Sequence, residues 1–98
     1  MKLVLLPEAE GDLEEAIDHY LEGATANLAA ELQRELRRVA ALTCEWPRLG
    51  HKVGPQARAF GLKRFAYQSV CRLTTDAGVI IAIAHERRDP RYWRDRPR

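Results

Sequence analysis

The sequence predicts an α+β domain with the order β-α-α-β-β-β, a helical hairpin packed on a twisted, mainly antiparallel sheet. Three observations predict it. Apolar residues recur at steps of three and four between Glu8 and Thr43. Short apolar, β-branched and aromatic runs replace that period after residue 56. Between the two regimes lies "EWPRLGHKVGP", with two prolines and two glycines, which reads as a loop. A chain of 98 residues makes one domain, residues 1–98, burying roughly two thirds of the surface of its unfolded form.

The elements follow in order. Lys2 to Leu6 is a short apolar run stopped by Pro7, and its length suits a buried strand. Ala9, Leu13, Ala16, Ile17, Tyr20 and Leu21 then mark one face of a helix. Glu10, Asp12, Glu14, Glu15, Asp18 and Glu22 between them make its solvent face acidic. Pro7 suits the start, acids in the first turn suit the positive end of the dipole, and Gly23 suits a break. Leu28, Leu32, Leu36, Val39 and Ala40 define a second helix, roughly Thr25 to Thr43, joined closely enough to pack antiparallel on the first. Beyond the loop, "ARAFGLKRF", "AYQSVCRLT" and "VIIAIAHER" form a three-stranded meander, with "TTDAG" as a hairpin turn. Val79, Ile80, Ile81 and Ile83 are continuous enough for a central strand covered on both faces.

The net charge of +2 hides an uneven division. Residues 1–49 hold five Lys/Arg against ten Asp/Glu, and residues 50–98 hold eleven against four. An acidic and a basic face on one small domain set a preferred side for docking an anionic partner. Pro7 stops the apolar start far short of a signal sequence, which points to the cytoplasm and away from a membrane. Cys44 and Cys71 match no paired metal-ligand spacing and read as thiols in a reducing compartment. His19, His51 and His85 form no ligand pair, so neither metal nor cofactor is expected.

"DLEEAIDHY", "WPRLG", "LKRFAYQSVCRL" and above all "AHERRDPRYWRDR" resemble the RelE/ParE superfamily of type II toxin-antitoxin toxins, most nearly its ParE or plasmid-stabilisation branch. The resemblance covers nearly the whole chain and rests on His85, Arg88, Asp89, Pro90, Tyr92, Trp93 and Arg96 after an apolar strand, with Phe65 and Tyr67 before it. It departs from the branch at Ala66 and Cys71. It implies a growth-inhibiting toxin neutralised by a cognate antitoxin with a flexible C-terminal segment, as a toxin dimer or a toxin-antitoxin heterotetramer. The ParE branch binds and inhibits DNA gyrase; the RelE branch is a ribosome-dependent mRNA endoribonuclease.

The binding reading assigns Arg58, Lys63, Arg64, Arg87, Arg88, Arg91 and Arg94 to target or antitoxin, with Phe65, Tyr67, His85, Asp89, Pro90 and Trp93 as structural anchors. Trp93 is expected to cap the sheet. RNA cleavage needs a base, a cation for the developing phosphate charge and an acid, for which His85, Arg64, Arg88 and Tyr92 are the residues available, with Glu86 a weak base. A third reading is a nucleic-acid-binding module with arginines on phosphates and aromatics on bases, and a fourth a family member without toxicity. The small net charge and acidic helical half argue against a stand-alone nucleic-acid binder.

Overall fold

The computed structural model describes residues 2–22 and 26–96. Strand β1 (Lys2–Leu5) leads into helix α1 (Pro7–Glu22) and helix α2 (Ala26–Glu45). After a single 3-10 turn at Pro47–Leu49 come strands β2 (His51–Gly54), β3 (Ala57–Gly61), β4 (Tyr67–Leu73) and β5 (Ala77–His85), then one turn of helix, α3 (Arg91–Arg94). Pro7 occupies the first position of α1, where its missing N–H is not needed, and Glu8 and Glu10 sit at the positive end of the dipole. The proposed break at Gly23 and the start at Thr25 lie outside the described residues.

Among the described residues the sheet has five strands in the order β1-β5-β4-β3-β2, antiparallel except for the parallel β1–β5 pair. The mixed α+β architecture and helical hairpin match the sequence expectation, with several differences. Residues 51–54, read as loop, form an edge strand against β3. Four residues carry too little periodicity to announce themselves, and Gly54 and Pro55, which read as breakers, serve as the turn into β3. β3 ends at Gly61 because Phe65 N donates to Leu62 O (3.1 Å), closing a turn in which Arg64 takes φ 71°. β1 is a half-exposed edge strand rather than a buried one: its pairing ends with Leu5 opposite Ile80, after which Leu6 N donates to Ile80 O.

The core gathers Ala9 and Ala16 of α1, Leu32, Leu36 and Val39 of α2, and the sheet residues Phe60, Val70, Cys71 and Ile80 to Ala84. β5 is central, between β1 and β4, and is buried from Ile80 to Ala84. The expected acidic solvent face of α1 has one exception: Asp12 is 8% exposed. Among the described residues no helix is long and apolar enough to cross a membrane.

Two glycines respond oppositely to one added methyl. A Cβ on buried Gly50 would lie 2.6 Å from Cε1 of Phe60, itself in the core, whereas a Cβ on Gly11, within α1, meets nothing within 4 Å. Urea unfolding should show Gly50→Ala destabilised by about 1–3 kcal/mol from overpacking. Gly11→Ala should be stabilised by about 0.5–1 kcal/mol through the helix preference for alanine.

Candidate functional site

The C-terminal segment is held by turns that its sequence favours. Arg88 N donates to His85 O (3.0 Å), and Glu86 N donates to Ala66 O (2.9 Å), carrying the chain off the sheet. Asp89 Oδ1 then accepts from Arg91 N (2.9 Å) and its Oδ2 from Arg91 Nε (2.9 Å), while Pro90 leads into α3. The hydrogen bonds from Arg91 hold the Asp89 carboxyl below the usual carboxylate range. Trp93 is 3% exposed and belongs to the core.

Behind α3 the chain returns to α1. Arg96 Nη1 and Nη2 donate to Asp12 Oδ2 (2.6 Å) and Oδ1 (3.1 Å), and Nη1 also reaches Ile81 O (3.0 Å). Asp12 Oδ2 accepts in addition from Ile83 N (3.1 Å). Because β1 stops opposite Ile80, these backbone groups of β5 lack a neighbouring strand, and the side-chain pair supplies the missing acceptor and donor. The fork geometry of a guanidinium on a carboxylate suits this double duty.

Cross-strand register separates the two faces of the sheet. Tyr67 pairs with His85 and Ser69 with Ile83, and Tyr67, Ile83 and His85 line a small pocket with Asp12, Glu15 and Ala16 of α1, so this is the helix-covered face. The opposite face carries Ala57, Ala59, Val70, Arg72, Ala82 and Ala84. Its alanines are buried, and Ala57 lies at the edge of a depression. A groove of about 800 Å³ opens there, lined by Val53, Gly54, Pro55, Gln56, Ala57, Arg72, Trp93 and Arg94. None of these lining residues is acidic. Arg72 donates through Nη2 to Arg94 O, tying the groove wall to its floor.

The other sequence-nominated residues fall into distinct environments. His85, Arg88 and Tyr92 come together in the small pocket of about 60 Å³ on the helix side. Arg88 Cζ stands 3.7 Å from the Tyr92 ring centroid and Arg96 Cζ 4.8 Å from it. The Tyr92 hydroxyl is buried without a partner, and desolvation, reinforced by Asp12, pushes it up to about 12. It stays protonated at neutral pH, the form that donates a proton rather than accepts one. His85 Nδ1 accepts from Arg87 N (3.1 Å), and its ring packs edge-on against Tyr67, which in turn meets Tyr20; Phe65 is buried against the same Tyr20.

Arg64, the fourth nuclease nominee, lines a different depression, where its Nη1 lies 3.1 Å from Glu31 Oε2 without hydrogen-bond alignment. Lys63 is anchored beside it through its backbone N to Glu35 Oε2 (2.6 Å). Arg91 is taken up by Asp89, while Arg87 and Arg94 are exposed. Arg58 donates from Nη1 to Gly50 O (3.1 Å). Sequence reasoning missed Asp12 as the partner of Arg96, and Arg72, Gln56, Arg48 and Lys52 as surface-forming residues. Of these only Arg72 left a signal, an arginine inside the apolar run "SVCRLT". Among the described residues no three His, Cys, Asp or Glu side chains converge as a metal ion would require.

No protein-family model matches this chain, and no curated protein matches it. Among solved structures, one described as a chromosomal ParDE TA system from P. aeruginosa superposes with a TM-score of 0.74 at 19% identity, over 87% of this chain and 95% of that one. The chain therefore has a RelE/ParE-like fold, as its motifs suggested.

The strand-substitute role of Asp12 and Arg96 can be separated from their mutual attraction. Asp12→Ala should cost about 3–5 kcal/mol, since it strands a largely buried guanidinium. Adding Arg96→Ala should not restore the loss, because the N–H of Ile83 and C=O of Ile81 stay unpaired. A double-mutant cycle in urea measures this, and full recovery in the double variant would limit the contact to a simple ion pair.

Proposed function

We propose that this chain is the toxin of a type II toxin-antitoxin pair, ParE-like in action. It binds and inhibits DNA gyrase in the cytoplasm and is neutralised by a cognate antitoxin. The observation that carries the reading is the superposition on the ParDE structure over most of both chains. Fold by itself does not choose a chemistry, so the choice between branches rests on the site.

Two features support a binder. The groove on the open sheet face has Arg72 and Arg94 among its lining residues and no carboxylate, so it presents uncompensated positive charge to an anionic surface. Two of the groups that RNA cleavage would use have partners within the chain: Arg64 lies against Glu31, and His85 Nδ1 accepts from Arg87 N. The RelE-like nuclease keeps one observation in its favour, the meeting of His85, Arg88 and Tyr92 in a single pocket.

Controlled expression in cells distinguishes the readings. The pair Gln56→Glu, which adds a negative charge, and Arg94→Glu, which reverses a positive one, both at exposed positions, should leave melting nearly unchanged and relieve growth inhibition, because the groove rim becomes acidic. Tyr92→Phe should remain toxic, with filamentation and gyrase-trapped DNA breaks. Cleaved messages from the parent, lost in Tyr92→Phe, would establish the nuclease instead. A harmless parent protein would end the toxin reading altogether.

A further inference from the structure

A second surface lies where α2 ends and β2 begins. Trp46 and Leu49 are 61% and 66% exposed and sit within one turn, with Leu49 N donating to Trp46 O (3.0 Å). They flank Arg48, which with Lys52 and Arg58 lines a depression of about 220 Å³ that also includes Gln56 and Leu73. No lining residue is acidic; Glu45, next to Trp46 in sequence, is not among them.

The arrangement is unfavourable for the isolated chain. Lys52 and Arg58 are direct cross-strand partners, so two positive side chains stand opposite each other on one face, a destabilising pairing. Four other arginines of the fold meet carboxylates: Arg38 has Glu35, Arg64 has Glu31, Arg91 has Asp89 and Arg96 has Asp12. Here the fold gives none among the described residues, and it holds Arg58 in place by Nη1 alone, through the backbone carbonyls of Gly50 and Arg48, which leaves most of the guanidinium's donors free. Two large apolar side chains remain in water alongside.

We infer that the surface formed by Trp46, Arg48, Leu49, Lys52 and Arg58 docks an acidic segment of a partner protein that also presents apolar side chains. Carboxylates neutralise the three cations, two of them arginines suited to bidentate contact, and the apolar residues cover Trp46 and Leu49. Tryptophan and arginine are the side chains that dominate protein interfaces. A nucleic acid fits less well, because Leu49 offers no ring for a base to stack on and the helical half of the chain repels polyanions. Under the toxin reading this partner is the antitoxin. The surface chemistry stands without that reading, and the test reads binding rather than toxicity, so the two fail separately.

The chain carries its own reporter, since Trp46 is exposed and Trp93, the other tryptophan, is buried. The full chain is titrated with a short peptide of Asp and Glu interrupted by leucines, with an all-acidic peptide and with a single-stranded thymidine oligonucleotide. The leucine-bearing peptide should shift tryptophan emission to the blue with saturation, and the shift should vanish in Trp46→Phe. Arg48→Glu with Lys52→Glu, and separately Leu49→Ser, should each weaken binding about tenfold or more, equivalent to about 1.4 kcal/mol. Melting curves check that the variants fold; Leu49→Ser reads the contact if the charge-reversed variant does not. The all-acidic peptide should bind about tenfold more weakly, the loss expected when apolar anchors are removed. No shift with the leucine-bearing peptide, undiminished binding by the folded variants, or an oligonucleotide that displaces the peptide from Trp46 would overturn the inference.

Discussion

The contact on which this structure most depends is the pair Asp12–Arg96 against the flank of β5. The parallel strand β1 ends opposite Ile80, yet β5 continues to His85 through the buried centre of the sheet. Backbone groups on that flank are left with neither water nor a strand, a cost comparable to a lost hydrogen bond for each. A carboxylate from α1 accepts from Ile83 N, and a guanidinium from the C-terminal segment donates to Ile81 O. One polar cluster thus fastens the first helix, the central strand and the end of the chain together. Each charge is buried in company, which is the condition under which such burial is tolerated.

That fastening sets the two faces of the site. With Arg96 fixed at Asp12, the single turn of α3 delivers Tyr92 to the helix-covered side and Trp93 to the open side of the sheet. That second side carries the buried alanines Ala57, Ala59, Ala82 and Ala84, of which Ala57 lines the groove beside Trp93. Burial of the indole contributes roughly 4–6 kcal/mol before entropic costs, from an apolar area of about 150–250 Å². The groove beside it runs between the β2–β3 turn and α3, with Arg72 of β4 bonded to the Arg94 carbonyl across it.

Charge is distributed on the same logic. Arginines that hydrogen-bond a carboxylate within the fold act as fasteners: Arg96 on α1, Arg38 along α2, Arg91 on its own turn. Those that meet only backbone carbonyls, Arg58 and Arg72, are positioned without being neutralised. The second group lies on β3 and β4, on opposite faces of the sheet, so the strand-rich half carries positive potential on both sides while the helical half stays acidic. A small domain with such a field presents distinct surfaces to anionic partners even though its overall charge is close to zero.

Local patterning by itself determined the two amphipathic helices, the meander, the apolar central strand and the membership of Trp93 in the core, because periodicity and turn chemistry act over a few residues. The quoted motifs further identified the RelE/ParE-like fold. Only the tertiary structure decided the rest. β2 gains its identity from pairing with β3, since four residues with two exposed side chains carry no period of their own. Asp12 reads as one more acid on a helix until β5 ends up unpartnered beside it, and its two partners stand 71 and 84 positions away in the chain. Arg96 fastens by a long-range meeting of the same kind, whereas Arg91 takes Asp89 from its own turn. A charged side chain has no intrinsic preference between fastening and remaining open; the distance to the nearest carboxylate in the folded chain makes the choice.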